Sequence, residues 1–172
     1  MLRDNNLRVK TYLLFKPPFM SEGDALVHTT SWLTKVAPYS DEVSVNPMNI
    51  QKNTIVDRLF RNKEYRPPWL WSLVDMIQRS HEHLGADSCR IIVHPTAGGK
   101  IRGAHNCGEC DSEVVASIER YSVSGDVEEF SHLECSCRSH WRAEIDNDTS
   151  FPLPLGFGTF RRGKPTDILR AP

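Results

Sequence analysis

The sequence contains no apolar run long enough to span a membrane. Near its start it also lacks the hydrophobic region of a secretory signal peptide. The opening residues 1–6 are polar instead. Cysteines number only five, and the net charge of −1 leaves the chain neither strongly basic nor strongly acidic. We therefore expect a cytoplasmic protein without membrane contact, in a compartment where thiols stay reduced.

Four of the five cysteines form two tight pairs, Cys107-Gly108-Glu109-Cys110 and Cys135-Ser136-Cys137, with a predicted helix between them. Two short pairs brought together by the element that separates them suit one metal ion held by four thiolates. Two disulfides, or four unrelated reduced thiols, are the alternatives. A reducing compartment favours the metal site. Cys89 is left over in an apolar stretch.

The identity of the metal is less constrained, because four thiolates also suit an auxiliary iron-sulfur cluster. Short, closely set pairs favour Zn²⁺, as in zinc knuckles and ribbons. His105 and His140 flank the pairs and are alternative ligands, although four sulfurs already complete a tetrahedron. A closed shell has no position for a substrate, so the predicted site is structural and not catalytic.

The first hundred residues alternate between strand and helix patterns. Val9–Phe15 is an apolar run typical of a strand buried on both faces. Ser21 is a candidate N-cap for a helix that extends to about Val36 and turns Leu26, Trp32 and Leu33 inward.

Two further strands and two further helices follow. Glu42–Val45 and Cys89–Val93 are the strands, and Ile55–Phe60 is a short helix after Thr54. Pro67 and Pro68 suit the first turn of a long helix that stops at Gly85. This order predicts a parallel α/β sheet.

Polar residues follow each predicted strand, at the edge where parallel α/β proteins place their chemistry. They are Lys16, then Asn46, Asn49 and Gln51, then His94. Each also has an ordinary explanation as a solvated lysine, a turn opener or a locally bonded histidine. Because all three strand ends are polar, we expect them to face one pocket.

Three segments and the cysteine pairs resemble a radical-SAM family that makes archaeosine in archaeal transfer RNA. The segments are Lys16-Pro17-Pro18-Phe19, Ser44-Val45-Asn46-Pro47-Met48-Asn49-Ile50-Gln51 and Tyr65-Arg66-Pro67-Pro68-Trp69-Leu70-Trp71-Ser72. The same family carries a block like His105-Asn106-Cys107-Gly108-Glu109-Cys110-Asp111 before its Cys-x-Cys pair. The resemblance covers about residues 10–142.

The resemblance implies both a fold and a reaction. Residues 1–98 would be the C-terminal half of a partial (β/α)₆ radical-SAM barrel, residues 99–145 a four-cysteine metal-binding module, and residues 146–172 a tail. Using S-adenosylmethionine and a [4Fe–4S] cluster, the complete enzyme would cleave a lysine adduct on a 7-deazaguanine base. Lys16, Asn46, Asn49, Gln51 and His94 would then lie near cofactor or substrate.

The chain departs from this family in one respect, because it has no Cys-x₃-Cys-x₂-Cys motif to hold the radical-SAM cluster. We expect an N-terminal half that supplies this motif, and no cleavage of S-adenosylmethionine by the chain alone. The other expected partners are a tRNA-guanine-transglycosylase-like subunit and tRNA. The alternative is a non-catalytic, zinc-bound module that binds tRNA or that partner.

Basic residues are distributed unevenly and suggest where RNA would bind. Residues 99–150 carry 5 basic and 11 acidic side chains, which argues against an RNA surface there. One basic cluster consists of Lys52, Arg58, Arg61, Lys63 and Arg66, and another lies in the tail at Arg161, Arg162, Lys164 and Arg170. Each is either a phosphate contact or a solvated surface.

Overall fold

A computed structural model describes residues 5, 7–85 and 89–147. Within these ranges the chain forms a three-stranded parallel sheet of order β1-β2-β3 and five α-helices. The strands are β1 (Lys10–Phe15), β2 (Glu42–Pro47) and β3 (Arg90–Val93). The helices are α1 (Glu22–Val36), α2 (Ile55–Arg61), α3 (Leu70–Leu84), α4 (Asp111–Ser124) and α5 (Cys137–Asp146). The predicted parallel α/β arrangement is confirmed.

The two faces of the sheet differ in burial. Phe15, Val45 and Val93 lie on one face and belong to the main hydrophobic core, together with residues of α1, α3 and α4. On the opposite face of β1, Tyr12 is 65% exposed and Leu14 is 49% exposed. The prediction that the first strand is buried on both faces is therefore wrong, because the helices that join the strands cover only one side of β1.

Helix α1 begins where the sequence predicts. The Ser21 hydroxyl accepts a hydrogen bond from the Asp24 amide at 3.1 Å, which satisfies one of the free amides of the first turn. Leu26 and Leu33 are buried as expected. Trp32 is not, because it lies about 100° around the helix from Leu33, and it is 43% exposed.

Helix α3 ends before Gly85 as predicted but begins later than predicted. Pro67 and Pro68 precede the N-cap residue Trp69, so neither proline lies in the first turn. Trp69 has no side-chain cap of its own. The Glu22 carboxylate accepts from the Trp69 amide at 2.8 Å, and the Asn106 side-chain carbonyl accepts from the Trp71 amide at 3.2 Å. Two distant parts of the chain therefore cap this helix.

One hydrophobic core extends across the predicted boundary between residues 98 and 99. Buried side chains of α3, such as Trp71 and Ile77, share it with Ile118 of α4 and Trp141 of α5. The proposed division into domains remains a prediction, and its tail from residue 148 onward lies outside the described residues. Among the helices of the described ranges, none is long and apolar enough to cross a membrane.

Candidate metal centre and adjoining cleft

Both cysteine pairs lie at helix starts. Cys110 is the N-cap residue of α4, and Cys137 is the first residue of α5. Within the first pair, Gly108 has a φ of 97°, a backbone conformation that glycine adopts without the steric penalty of other residues. The helix predicted between the pairs is α4, which separates the two pairs along the chain while the fold brings them together.

The structure brings the four predicted sulfur ligands into one group. All four Sγ atoms of Cys107, Cys110, Cys135 and Cys137 lie within 4.8 Å of one another, and the group could hold a metal ion. The Sγ–Sγ distances are 3.9 Å for Cys107–Cys110 and 3.7 Å for both Cys107–Cys135 and Cys110–Cys137. Four thiolates at ~2.3 Å from one tetrahedral ion lie about 3.8 Å apart. The four cysteines form no disulfide in the structure, which favours the metal site over the disulfide alternative.

Two side chains donate hydrogen bonds to the sulfurs. The Trp71 indole N–H donates to Cys137 Sγ at 3.2 Å, and the Asn106 amide donates to Cys110 Sγ at 3.3 Å. Donors of this kind hold ligands in place around a metal. Sequence reasoning missed both roles, although both residues lie in the segments that carry the family resemblance.

The Asp111 carboxylate fixes the loop of the first cysteine pair. Its Oδ1 accepts from the backbone amides of Asn106 at 2.9 Å and Gly108 at 3.3 Å. Asp111 is the first residue of α4 and is buried. A buried carboxylate at a helix start is favoured by the helix dipole, so this side chain joins the loop to α4.

The thiols differ in acidity because their surroundings differ. Backbone amides of Cys110 and Glu109 lower the pKa of the exposed Cys107 thiol to about 7. Burial raises the pKa of the Cys137 thiol to about 11, and burial also raises the pKa of Cys110. Without a cation the inner thiols therefore keep their protons at neutral pH, and a metal ion that binds here displaces them.

Neither flanking histidine belongs to the group of sulfurs that the structure assembles. His105 is half-buried, and its Nδ1 lies 2.8 Å from the Gly103 carbonyl oxygen. Burial lowers the pKa of its imidazole. His140 is exposed on α5. The alternative of histidine ligation gains no support from this arrangement.

Lys16 alone among the predicted strand-end residues lies in a cleft. Its Nζ donates to Glu22 Oε2 at 2.6 Å, and the two side chains are 6% and 0% exposed. Its backbone carbonyl accepts from the Tyr65 hydroxyl at 2.8 Å. The ordinary explanation of Lys16 as a solvated lysine is therefore wrong.

The other predicted strand-end residues lie at the carboxyl edge of the sheet or in the loop that follows it. Asn46 and His94 follow the paired residues Val45 and Val93 on neighbouring strands, and His94 is exposed. Gln51 donates to the Asn49 side chain at 2.7 Å on the surface. The one pocket expected for all five residues stays a prediction.

The cleft next to Lys16 has a volume of about 460 Å³. Its walls come from the connection between β1 and α1, residues 60–66, the loop before α4, and Glu144 of α5. Arg66 stacks on the Trp69 ring at 3.9 Å and donates to the His105 carbonyl at 2.9 Å. The Trp69 indole donates to Glu144 at 2.7 Å. The loop that carries Cys107 therefore also forms one wall of the cleft.

The first basic cluster is smaller in the structure than in the sequence. Arg61 and Arg102 bind the buried Asp57 carboxylate, and these hydrogen bonds, the one from Arg102 foremost, hold the pKa of Asp57 well below its usual range. Arg66 lies against Trp69 and is half-buried. The basic residues of the cluster that are exposed and not tied to Asp57 are Lys52, Arg58 and Lys63. The tail cluster lies outside the described residues.

No protein-family model matches the chain, and no solved structure matches it. Curated proteins do. The chain is 34% identical over 151 residues to archaeosine synthase subunit beta of Methanosarcina acetivorans, covering 86% of this chain and 42% of that protein. It is 38% identical over 141 residues to archaeosine synthase subunit beta of Thermococcus kodakarensis, covering 81% and 43%. An uncharacterized protein of Methanocaldococcus jannaschii is 29% identical over 161 residues, covering 91% and 43%.

These matches cover most of the chain. The chain spans less than half the length of the curated relatives that it matches. The family resemblance seen in the motifs is thereby confirmed: over the residues that it spans, this chain is a relative of archaeosine synthase subunit beta.

Proposed function

We propose that this chain is one part of a tRNA-modifying enzyme of archaeosine formation, and that it contributes half of a (β/α)₆ barrel and a structural metal centre. The observation that carries this proposal is the similarity at 34–38% identity to proteins named archaeosine synthase subunit beta. Because the chain spans 42–43% of those proteins, the complete activity needs further segments or subunits.

The half-barrel is supported by the uneven cover of the sheet. In a barrel the helices surround the strands on the outside, and the opposite face of each strand turns inward. Here α1, α3 and α4 pack on the face that contains Phe15 and Val45. Leu14 and Asn46 are paired in register and project from the other face. That face would be the barrel interior, which brings Asn46 toward substrate or cofactor.

Radical-SAM chemistry enters this proposal only through the missing part. When bound, S-adenosylmethionine and a [4Fe–4S] cluster would supply the radical chemistry that cleaves the lysine adduct. Lys16, Asn46, Asn49, Gln51 and His94 would position cofactor or substrate at the carboxyl edge of the strands. A tRNA-guanine-transglycosylase-like subunit and tRNA are the remaining proposed partners.

A complementation experiment tests the half-barrel. Alone, the chain exposes Tyr12 and Leu14 on β1, so we expect it to self-associate or precipitate. Co-expression with the N-terminal part of a full-length relative that carries the three-cysteine motif should yield a soluble complex by size-exclusion chromatography. The charge variant Leu14→Arg should fail to form that complex. A chain that is monomeric, unfolds cooperatively and does not bind the N-terminal fragment would contradict the half-barrel proposal.

The alternative function, a non-catalytic module that binds tRNA or a protein partner, has one observation in its favour. The main core includes residues of the sheet, α4 and α5 together, as a self-sufficient domain requires. The monomeric outcome of the complementation experiment would support this alternative.

Zn²⁺ is the metal that we propose for the cysteine group. The Sγ–Sγ distances of 3.7–3.9 Å suit a single tetrahedral ion. The corners of an iron-sulfur cube hold their thiolates farther apart, because each sulfur binds a different iron atom. Four thiolates close the shell, so the ion would stabilise the fold and hold the Cys107 loop against the cleft.

RNA contact is proposed for the exposed basic residues of the first cluster. The variant Lys52→Glu with Arg58→Glu should weaken tRNA binding by the assembled complex, and it should reduce the slope of log affinity against log salt by about 1 to 2, because two phosphate contacts are lost. Arg61 is left unchanged since it binds Asp57. Filter binding across a salt series measures both quantities.

A matched control reverses two exposed cations elsewhere, Lys35→Glu with Arg142→Glu. It makes the same change in net charge, so a loss specific to the Lys52 and Arg58 variant separates local contact from overall repulsion. Affinity and salt slope that are unchanged in the Lys52 and Arg58 variant would assign RNA binding to another subunit.

A further inference from the structure

Backbone strain is concentrated at the cleft beside Lys16. Among the described residues, five that are not glycine have positive φ angles, and three of them line this cleft: Lys16 at 53°, Phe19 at 70° and Lys63 at 61°. Side chains with a Cβ pay a free-energy cost for this conformation. The three residues come from two separate connections of the chain and line one cavity. Because strained residues cluster at ligand-binding sites, this cavity is a candidate binding site.

The floor of the cleft is rigid and polar. Glu22 is fully buried and accepts from both Lys16 Nζ and the Trp69 amide. Lys16 Nζ also lies 5.8 Å from the centre of the Tyr65 ring. Burying an ion pair costs solvation free energy, which the attraction of the pair repays only in part. The hydrogen bonds of Glu22 to Lys16 and to the Trp69 amide, and of Tyr65 to the Lys16 carbonyl, fix the geometry of the floor.

The rim of the cleft is apolar and open to solvent. Phe19 is 50% exposed and Ile101 is 69% exposed, and both line the cavity from different loops. Phe60 adds a second aromatic ring to the wall. An aromatic side chain that is held at the surface in a strained backbone conformation offers a stacking platform for a flat ligand.

The polar groups of the wall carry both charges. Arg66 and Lys63 are cations, whereas Glu64 and Glu144 are carboxylates. One oxygen of Glu144 accepts from the Trp69 indole, which leaves its second oxygen for a ligand donor. A mixed set of acceptors and donors beside an aromatic platform suits the edge of a nucleobase, which presents amino donors and carbonyl acceptors in one plane.

The cleft wall includes one exposed cation of the first basic cluster. Lys63 lines the cleft and belongs to the same cluster as Lys52 and Arg58 of the α2 region. A ribonucleotide has a flat base and a negative phosphate, which suit an aromatic cleft with a cation in its wall. A volume of about 460 Å³ is large enough for one nucleotide base and its sugar.

We propose that this cleft binds one unpaired nucleobase of the RNA, stacked at Phe19, while the phosphates on either side contact Lys52, Arg58 and Lys63. This inference rests on the proposed function, since it needs RNA as the ligand. It adds a base-binding site outside the face of the sheet that would form the barrel interior.

The experiment uses the full chain, in its soluble complex with the N-terminal fragment, and a short single-stranded RNA with one fluorescent 2-aminopurine. Phe19→Gly removes the ring and relieves the positive φ, so loss of folding does not explain its effect. We expect Phe19→Gly and Ile101→Ala each to weaken binding about fivefold or more and to reduce the quenching of the fluorescent base. The control is Tyr39→Ala, which removes an aromatic side chain that is 75% exposed and does not line the cleft.

The outcomes separate the two proposals. If Phe19→Gly and Ile101→Ala bind the RNA with the affinity and quenching of the unaltered chain, while Lys52→Glu with Arg58→Glu binds it more weakly, the cleft is not the base site and the proposed function stands. If the unaltered chain does not bind the RNA, the base site and the RNA contact proposed for this chain are both overturned. Equal losses in Tyr39→Ala and Phe19→Gly would also overturn the site.

Discussion

Cys110→Ser is expected to lose the bound metal and most of the chain's thermal stability. The purified, unaltered chain should be colourless and contain close to one equivalent of zinc. Cys110 Sγ lies 3.7 Å from Cys137 Sγ and accepts from Asn106, so its loss opens the tetrahedron and releases the loop. Because metal binding free energy is also folding free energy, the variant should unfold at a much lower temperature, as measured by circular dichroism.

The expected unfolding extends beyond the two loops that carry the cysteine pairs. Trp71 of α3 donates to Cys137, and Trp141 donates to Ser72 at 2.8 Å, so loss of the metal centre also loosens the start of α3. Cys89→Ser is the matched control, because Cys89 lies outside the group of four sulfurs. It should keep the zinc. A brown protein with stoichiometric iron and absorbance near 400 nm would overturn the zinc assignment.

Glu22→Gln is expected to destabilise the fold by about 3 to 5 kcal/mol, the usual cost of leaving one member of a buried ion pair without its counter-charge. Lys16 is buried with Glu22 as its ionic partner at 2.6 Å, and the amide replacement keeps the shape but removes the charge. Denaturant unfolding of the assembled, soluble form measures the loss.

A second ion pair on the same sheet provides the control. Lys10 and Glu42 are 2.7 Å apart at the other end of the strands, with side chains 40% and 18% exposed. Water screens such a pair, so Glu42→Gln should change stability little. Lys16→Met combined with Glu22→Gln should cost less than the two single changes together. Equal, small effects of Glu22→Gln and Glu42→Gln would show that burial of the Lys16 pair has no energetic consequence.

The cysteine group could be predicted because the spacing that defines it lies within two short stretches of sequence. Spacing within each pair and the helix between them already determine which four sulfurs can meet. The hydrogen bonds to those sulfurs were not predictable in the same way. Trp71 is 66 positions away from Cys137 in the sequence, and no pattern of spacing joins them. The fold alone brings them together.

Strand and helix positions followed from apolar patterns, but the burial of the first strand did not. An apolar run such as Val9–Phe15 indicates that the strand packs against other apolar groups. The run does not indicate whether helices, another strand or a partner protein supply those apolar groups. The same limit applies to the polar residue Lys16. The sequence predicted its position after β1, but its ion pair with Glu22 depends on how α1 packs and could not be predicted.

The hydrogen bonds between α5 and α3 also determine the order in which parts of the chain can fold during synthesis. Ser72 and Trp71 leave the ribosome well before Cys137 and Trp141, the residues that bind them. The sheet strands are then already complete, while the start of α3 still lacks these partners. A nascent chain that stops before α5 therefore lacks both the fourth sulfur and the indole of Trp141, and the core of the described residues closes only after α5 emerges.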